Sequence, residues 1–142
     1  MELSTVIFLL LAILGWGAGA FFDKLSLRYL DSSGAFYVRS LLMVFIFAPL
    51  VAWKYIPTRQ ALLGSGRLGP LFVLGSVIVS MGGVFFYLKA LSGGSAARIV
   101  PLSSTYPIVT FALALIFMGE SFTASKLIGT LLISGGVYFI SR

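Results

Sequence analysis

Arg98-Ile-Val-Pro-Leu-Ser-Ser-Thr-Tyr-Pro-Ile-Val-Thr-Phe-Ala-Leu-Ala-Leu-Ile-Phe-Met-Gly-Glu120 carries charge only at its two ends. At about 1.5 Å rise per residue, its uncharged interior is long enough to cross a hydrocarbon layer ~30 Å thick. Yet it holds Pro101 and Pro107, two serines, two threonines and Tyr106. Pro107 cannot donate to the carbonyl of Ser103, and Pro101 likewise frees the carbonyl of Ala97. In hydrocarbon such acceptors must find other donors or line a wet cavity. Ser103, Tyr106, Pro107 and Thr110 follow i, i+3, i+4, i+7 and so share one helix face. Two readings stand. The face lines a cavity at midplane depth, where broken helices bind the cargo of many carriers. Or it is a packing kink whose hydroxyls bond back to their own helix.

A second polar face lies just upstream. Ser76, Ser80, Gly83 and Tyr87 fall at i, i+4, i+7, i+11 of another uncharged run, and the short turn Ser92-Gly93-Gly94-Ser95 brings the two runs back to back. Trp16 lies deep in the first apolar run among Gly15, Gly17 and Gly19, away from the headgroup belt that tryptophan favours. It is either a flat cavity wall or a core aromatic filling the space beside small neighbours.

Five apolar runs are expected as spans, at about 3–22, 36–55, 68–91, 97–119 and 125–141. Three are uncharged over full spanning length. The second needs Arg39 and Lys54 at its ends. The fifth is short, with Lys126 and Arg142 placed to snorkel. The segments 23–34 and 55–67 are expected as loops, and Ser121, Thr123 or Ser125 as the cap of the last helix. Small residues recur in the first, third and last runs, which suits close helix approach where lipid supplies no hydrophobic drive. Gly15 and Gly19 form a GxxxG pair, read first as intrachain packing.

Composition agrees. Of 142 residues, 59% are hydrophobic and only 10% charged, with a mean hydropathy of +1.08. A soluble domain carries about a quarter charged residues, so lipid is the solvent for most of this surface. The length suits a single domain, 1–142. The net charge of +6 is spread singly between apolar runs, which argues for topology and lipid headgroup contact and against nucleic acid. The basic residues divide four against six between the two sides of a five-span chain, and four against three once Arg39, Lys89 and Arg98 are set within helices. Such near-balance permits insertion either way round.

Cysteine and histidine are absent, and the acids Glu2, Asp23, Asp31 and Glu120 all fall at span ends or in loops. No metal-ligand cluster, histidine-activated serine or carboxylate pair is visible, so no enzyme, metal site or cofactor is expected. Without a mid-membrane carboxylate, proton-coupled export of organic cations is also disfavoured. Glu120 is read as an acceptor for backbone N–H groups. Arg39, Lys89 and Arg98 lie near helix ends, where they either snorkel or face inward as contacts for an anionic group.

Several short motifs together resemble the EamA-type domain of the drug/metabolite transporter superfamily, in its five-helix single-domain bacterial and archaeal branch. They are Gly15-Trp16-Gly17 with Lys24; Arg39; Phe86-Tyr87-Leu88-Lys89-Ala90-Leu91 followed by Gly94, Ala97, Arg98, Pro101-Leu102 and Pro107; and Gly119-Glu120 with Lys126, Gly129, Ile133 and Gly135-Gly136-Val137. The resemblance implies an all-α integral membrane protein with five transmembrane helices, forming one half of an inverted-repeat transporter bundle in the cell membrane. It further implies a secondary transporter of small polar metabolites, an exporter working by alternating access. A single domain needs a partner copy, so an antiparallel homodimer follows. The cavity candidates are Trp16, Tyr87, Ser103, Tyr106, Pro107 and Thr110. The rival expectation is a non-transporting membrane subunit or assembly partner, with polar faces bonded helix to helix.

Overall fold

The computed structural model describes residues 2–119, 121 and 123–141. Glu120 and Arg142, for which an acceptor role and a snorkelling role were expected, lie outside the described residues. The described chain is all helical: α1 Leu3–Ser26, α2 Ser32–Trp53, α3 Tyr55–Gly64, α4 Leu68–Gly93, α5 Ala96–Ser103, α6 Pro107–Phe117 and α7 Ala124–Ser141. Four stretches are long and apolar enough to cross a membrane: Leu3–Ser26, Ser32–Trp53, Leu68–Gly93 and Ala96–Phe117. Ala124–Ile140 is a shorter apolar helix.

The loop expected at 23–34 is mostly helix. Nothing in Asp23-Lys24-Leu25-Ser26 breaks α1, which continues one turn beyond its uncharged run. It closes when Ser26 Oγ donates to the carbonyl of Asp23 (2.8 Å) and the amide of Arg28 reaches back to Leu25 (3.0 Å). α2 then starts four residues earlier than expected, because Asp31 caps it. The Asp31 carboxylate accepts from the amides of Ser33 (3.1 Å) and Gly34 (3.2 Å). These amides have no partner within the helix. Asp31→Ala is expected to lower stability by about 1 kcal/mol, read as a shift in the thermal unfolding of the detergent-solubilised protein. No shift would mean that water replaces the cap at no cost.

The loop expected at 55–67 is also corrected, since most of it is α3. Pro57 sits in its first turn, where a missing N–H leaves no bond unmade. Thr58 ties that turn to Lys54, donating to its carbonyl through both amide (3.0 Å) and hydroxyl (2.7 Å). Gly66, at φ +66°, ends the segment in the left-handed region that disfavours side chains.

The fourth expected span is two helices. α5 stops at Ser103, residues 104–106 form turns, and α6 starts with Pro107 as its first residue. Proline fits that first turn, where its missing N–H leaves no helical bond unmade. Of the candidate caps for α7, Thr123 stands at the start, its hydroxyl accepting from the Lys126 amide at 3.4 Å.

Contacts group the chain into two compact units, residues 1–21 with 93–142, and residues 22–92. In the first, α5 packs along α7, and Val137 is buried. In the second, Ala35, Leu88 and Leu91 form the buried core, and the rings of Phe36 and Phe85 meet edge to face at 5.3 Å. Close packing at the glycines is not observed. A Cβ built on Gly15, Gly17, Gly19, Gly82, Gly83, Gly135 or Gly136 would meet nothing within 4 Å. The Gly15–Gly19 pair therefore makes no intrachain contact of the expected kind.

Candidate functional site

The broken helix belongs to the first unit. Ser103 Oγ donates to the carbonyl of Val100 (2.7 Å), Ser104 Oγ to the same oxygen (3.0 Å), Thr105 Oγ1 to Leu102 (2.8 Å) and Thr110 Oγ1 to Tyr106 (3.4 Å). The carbonyl of Ser103, released by Pro107, accepts the Tyr106 amide at 3.4 Å. Losing one helical hydrogen bond thus calls up a set of local substitutes. Ser103, Tyr106 and Thr110 are exposed, while Pro107 is half-buried. Trp16 is 70% exposed, so its own unit does not enclose it. No side-chain-to-side-chain hydrogen bond joins these candidates among the described residues; the one link through a side chain is the Thr110 hydroxyl to the Tyr106 carbonyl.

The second unit holds Tyr87, Arg39 and Lys89, and it adds a residue that the sequence reading set aside. Asp23, carried into α1 by the extra turn, pairs with Arg39 of α2. Arg39 Nη1 donates to both carboxylate oxygens, at 2.6 and 2.8 Å. Its remaining guanidinium nitrogens take no hydrogen-bond partner among the described residues. The Tyr87 hydroxyl on α4 is shut off from solvent, finds no hydrogen-bond partner among the described residues, and lies within electrostatic reach of Asp23 and Arg39. Neighbouring Lys24 crosses to the last turn of α4, its Nζ donating to the carbonyl of Leu91 at 2.7 Å. A cation there satisfies a carbonyl of the helix end and suits its negative pole. Lys89 stands 4.8 Å over the ring of Phe85. Arg98 is exposed on the first turn of α5, in the other unit.

The polar contacts at this point therefore tie the end of α1, the start of α2 and the end of α4 together. Beside them opens a cleft of about 290 Å³, apolar along Phe22, Val38, Leu42, Met43 and Ile46, with Asp23 and Arg39 in its wall. The arrangement brings Tyr87 and Arg39 together. It leaves Lys89 on an aromatic ring and keeps the broken-helix residues in the other unit.

The profile of the EamA-like transporter family matches residues 3–142. An uncharacterised protein of Methanocaldococcus jannaschii is 28% identical over 142 residues, covering 99% of this chain and 98% of its own length. No solved structure matches the chain. The family is one of transporters rather than enzymes. With its membrane-spanning helices, the chain is a multi-pass integral membrane protein.

Proposed function

Because the chain belongs to the EamA-like transporter family, we propose that it exports a small polar metabolite by alternating access, as an antiparallel homodimer of single-domain chains. The observation that carries this reading is the break between α5 and α6 at Pro107, in the middle of an apolar crossing. Irregular backbone at membrane depth is tolerated where it lines a cavity or is buried in protein. The exposed Ser103, Tyr106 and Thr110 beside that break are its substrate contacts, with Trp16 and Pro107 of the same unit as further walls; Tyr87 belongs to the other unit, its hydroxyl shut off from solvent. Arg98 of the same unit is its candidate anion contact, while Arg39 and Lys89 lie in the other unit, one on Asp23 and one over the ring of Phe85. The open glycine faces and the near-balanced basic residues support a second copy in the opposite orientation.

Ser103, Tyr106 or Thr110 changed to alanine or phenylalanine is expected to cut transport in proteoliposomes by about tenfold or more, equivalent to about 1.4 kcal/mol on the barrier. The helical circular dichroism should stay unchanged. Full transport in all of these variants would remove the cavity assignment. Reporter fusions at both termini test the dimer: activity on both sides of the membrane for each terminus fits opposed copies, and one fixed orientation does not. The back-bonded hydroxyls of Ser103 and Thr110 favour a second reading, a non-transporting subunit in which the kink serves packing alone. That reading expects no transport at all from the purified chain.

A further inference from the structure

Lys54 stands at the junction of α2 and α3, ending one helix and starting the next. Tyr55, Arg59 and Leu62 fall at i, i+4, i+7 and so share one face of α3. With Val51 of α2, and with Thr58 and Leu63, they line a cleft of about 370 Å³. Thr58 spends its hydroxyl proton on the Lys54 carbonyl, which leaves the Arg59 guanidinium and the Tyr55 hydroxyl as the donors facing a ligand. Arg59 has no ion-pair partner among the described residues, and the sequence holds no acidic residue between Asp31 and Glu120. Lys54 adds a second cation, held 4.8 Å over the ring of Trp53, and Arg67 follows just past the helix.

We propose that this cleft is a binding site for the headgroup phosphate of an anionic phospholipid, with Arg59 as its principal contact. Two features select a lipid over a free ion. The cation is bordered by Val51, Leu62 and Leu63, an apolar surface that an acyl chain covers and inorganic phosphate does not. Trp53 and Tyr55 flank the junction, the residue types that sit at headgroup level. The guanidinium fork suits phosphate oxygens in pairs. A zwitterionic lipid brings its own cation into the same space and is held less tightly.

The test uses the full chain in detergent, exposed to an equimolar mixture of phosphatidylglycerol and phosphatidylcholine, with retained lipid counted by native mass spectrometry. Wild type is expected to keep phosphatidylglycerol over phosphatidylcholine by about fivefold, the factor for one cationic contact at a membrane surface. Arg59→Gln should bring that ratio close to one, while Arg59→Lys, which keeps the charge, should retain most of it. The control Arg28→Gln, in the turn after α1, should leave the ratio unchanged. An unchanged ratio in Arg59→Gln, no preference in wild type, or an equal loss in Arg28→Gln would each overturn the proposal. So would a complete loss in Arg59→Lys. Inorganic phosphate added in excess should fail to displace the lipid. Displacement would assign the cleft to free phosphate and overturn the lipid.

Discussion

Asp23→Asn is expected to destabilise the protein more than any change of the same size elsewhere in residues 22–92. Asparagine keeps the shape and one acceptor oxygen but removes the charge. The Asp23 side chain is 19% exposed and that of Arg39 36%, so water compensates only in part for the lost partner. Hydrogen bonds to charged groups are worth about 1.5–3 kcal/mol, and the partial exposure of Arg39 puts the expected loss near the middle, about 2 kcal/mol. The penalty comes from the orphaned guanidinium and not from the net worth of the pair. Arg39→Gln should therefore cost a similar amount, and the double variant much less than the sum, since no charge is then left alone. Denaturant titration of the four proteins in detergent micelles measures the coupling. Strict additivity would show that the two residues do not hold each other. Transport should fall with stability in the Asp23→Asn variant.

Leu88→Ala and Leu91→Ala come next in size. Both side chains are almost wholly enclosed, at 1% and 0% exposure. In a soluble core, leucine-to-alanine changes cost about 2–5 kcal/mol, the sum of a transfer term and a cavity term. Here lipid is as apolar as leucine, so the transfer term largely vanishes and lost dispersion contacts remain. The expected cost is about 2 kcal/mol, at the lower end of that range. Leu71→Ala on the same helix, where the side chain is 58% exposed, is the matched control and should change little. Equal losses at Leu71 and Leu88 would mean that α4 is stabilised by helix propensity alone.

The first, third and fourth expected spans were legible because an uncharged run of about twenty residues has few alternatives to crossing a bilayer. The break at Pro107 was legible for a similar reason, since proline leaves a helix interior only two fates. The extra turn of α1 and the helix α3 are not legible in the sequence, because charge marks a loop and a helix end equally well. Asp23 and Lys24 are charged, but neither breaks a helix, and Pro57 looked like a breaker although it falls in a first turn. The role of Asp23 is hidden for the same reason. Its signal was present: an acid at the end of one span and Arg39 near the start of the next sit on the same side of the membrane. Opposite charges there are candidates for pairing before either is assigned to solvent. The side-chain choices of the hydroxyls at 103–105 had no signal in spacing, since the same residues serve a wet cavity or their own backbone.

Those hydroxyls carry one more consequence. Ser103, Ser104 and Thr105 each give their proton to a carbonyl near the end of α5. What each shows outward is a lone pair. The turn before Pro107 therefore offers acceptors from these three hydroxyls, and the exposed Tyr106 hydroxyl stands beside them as a donor. Polarity at this point comes from which way the protons are spent, not from any charged residue.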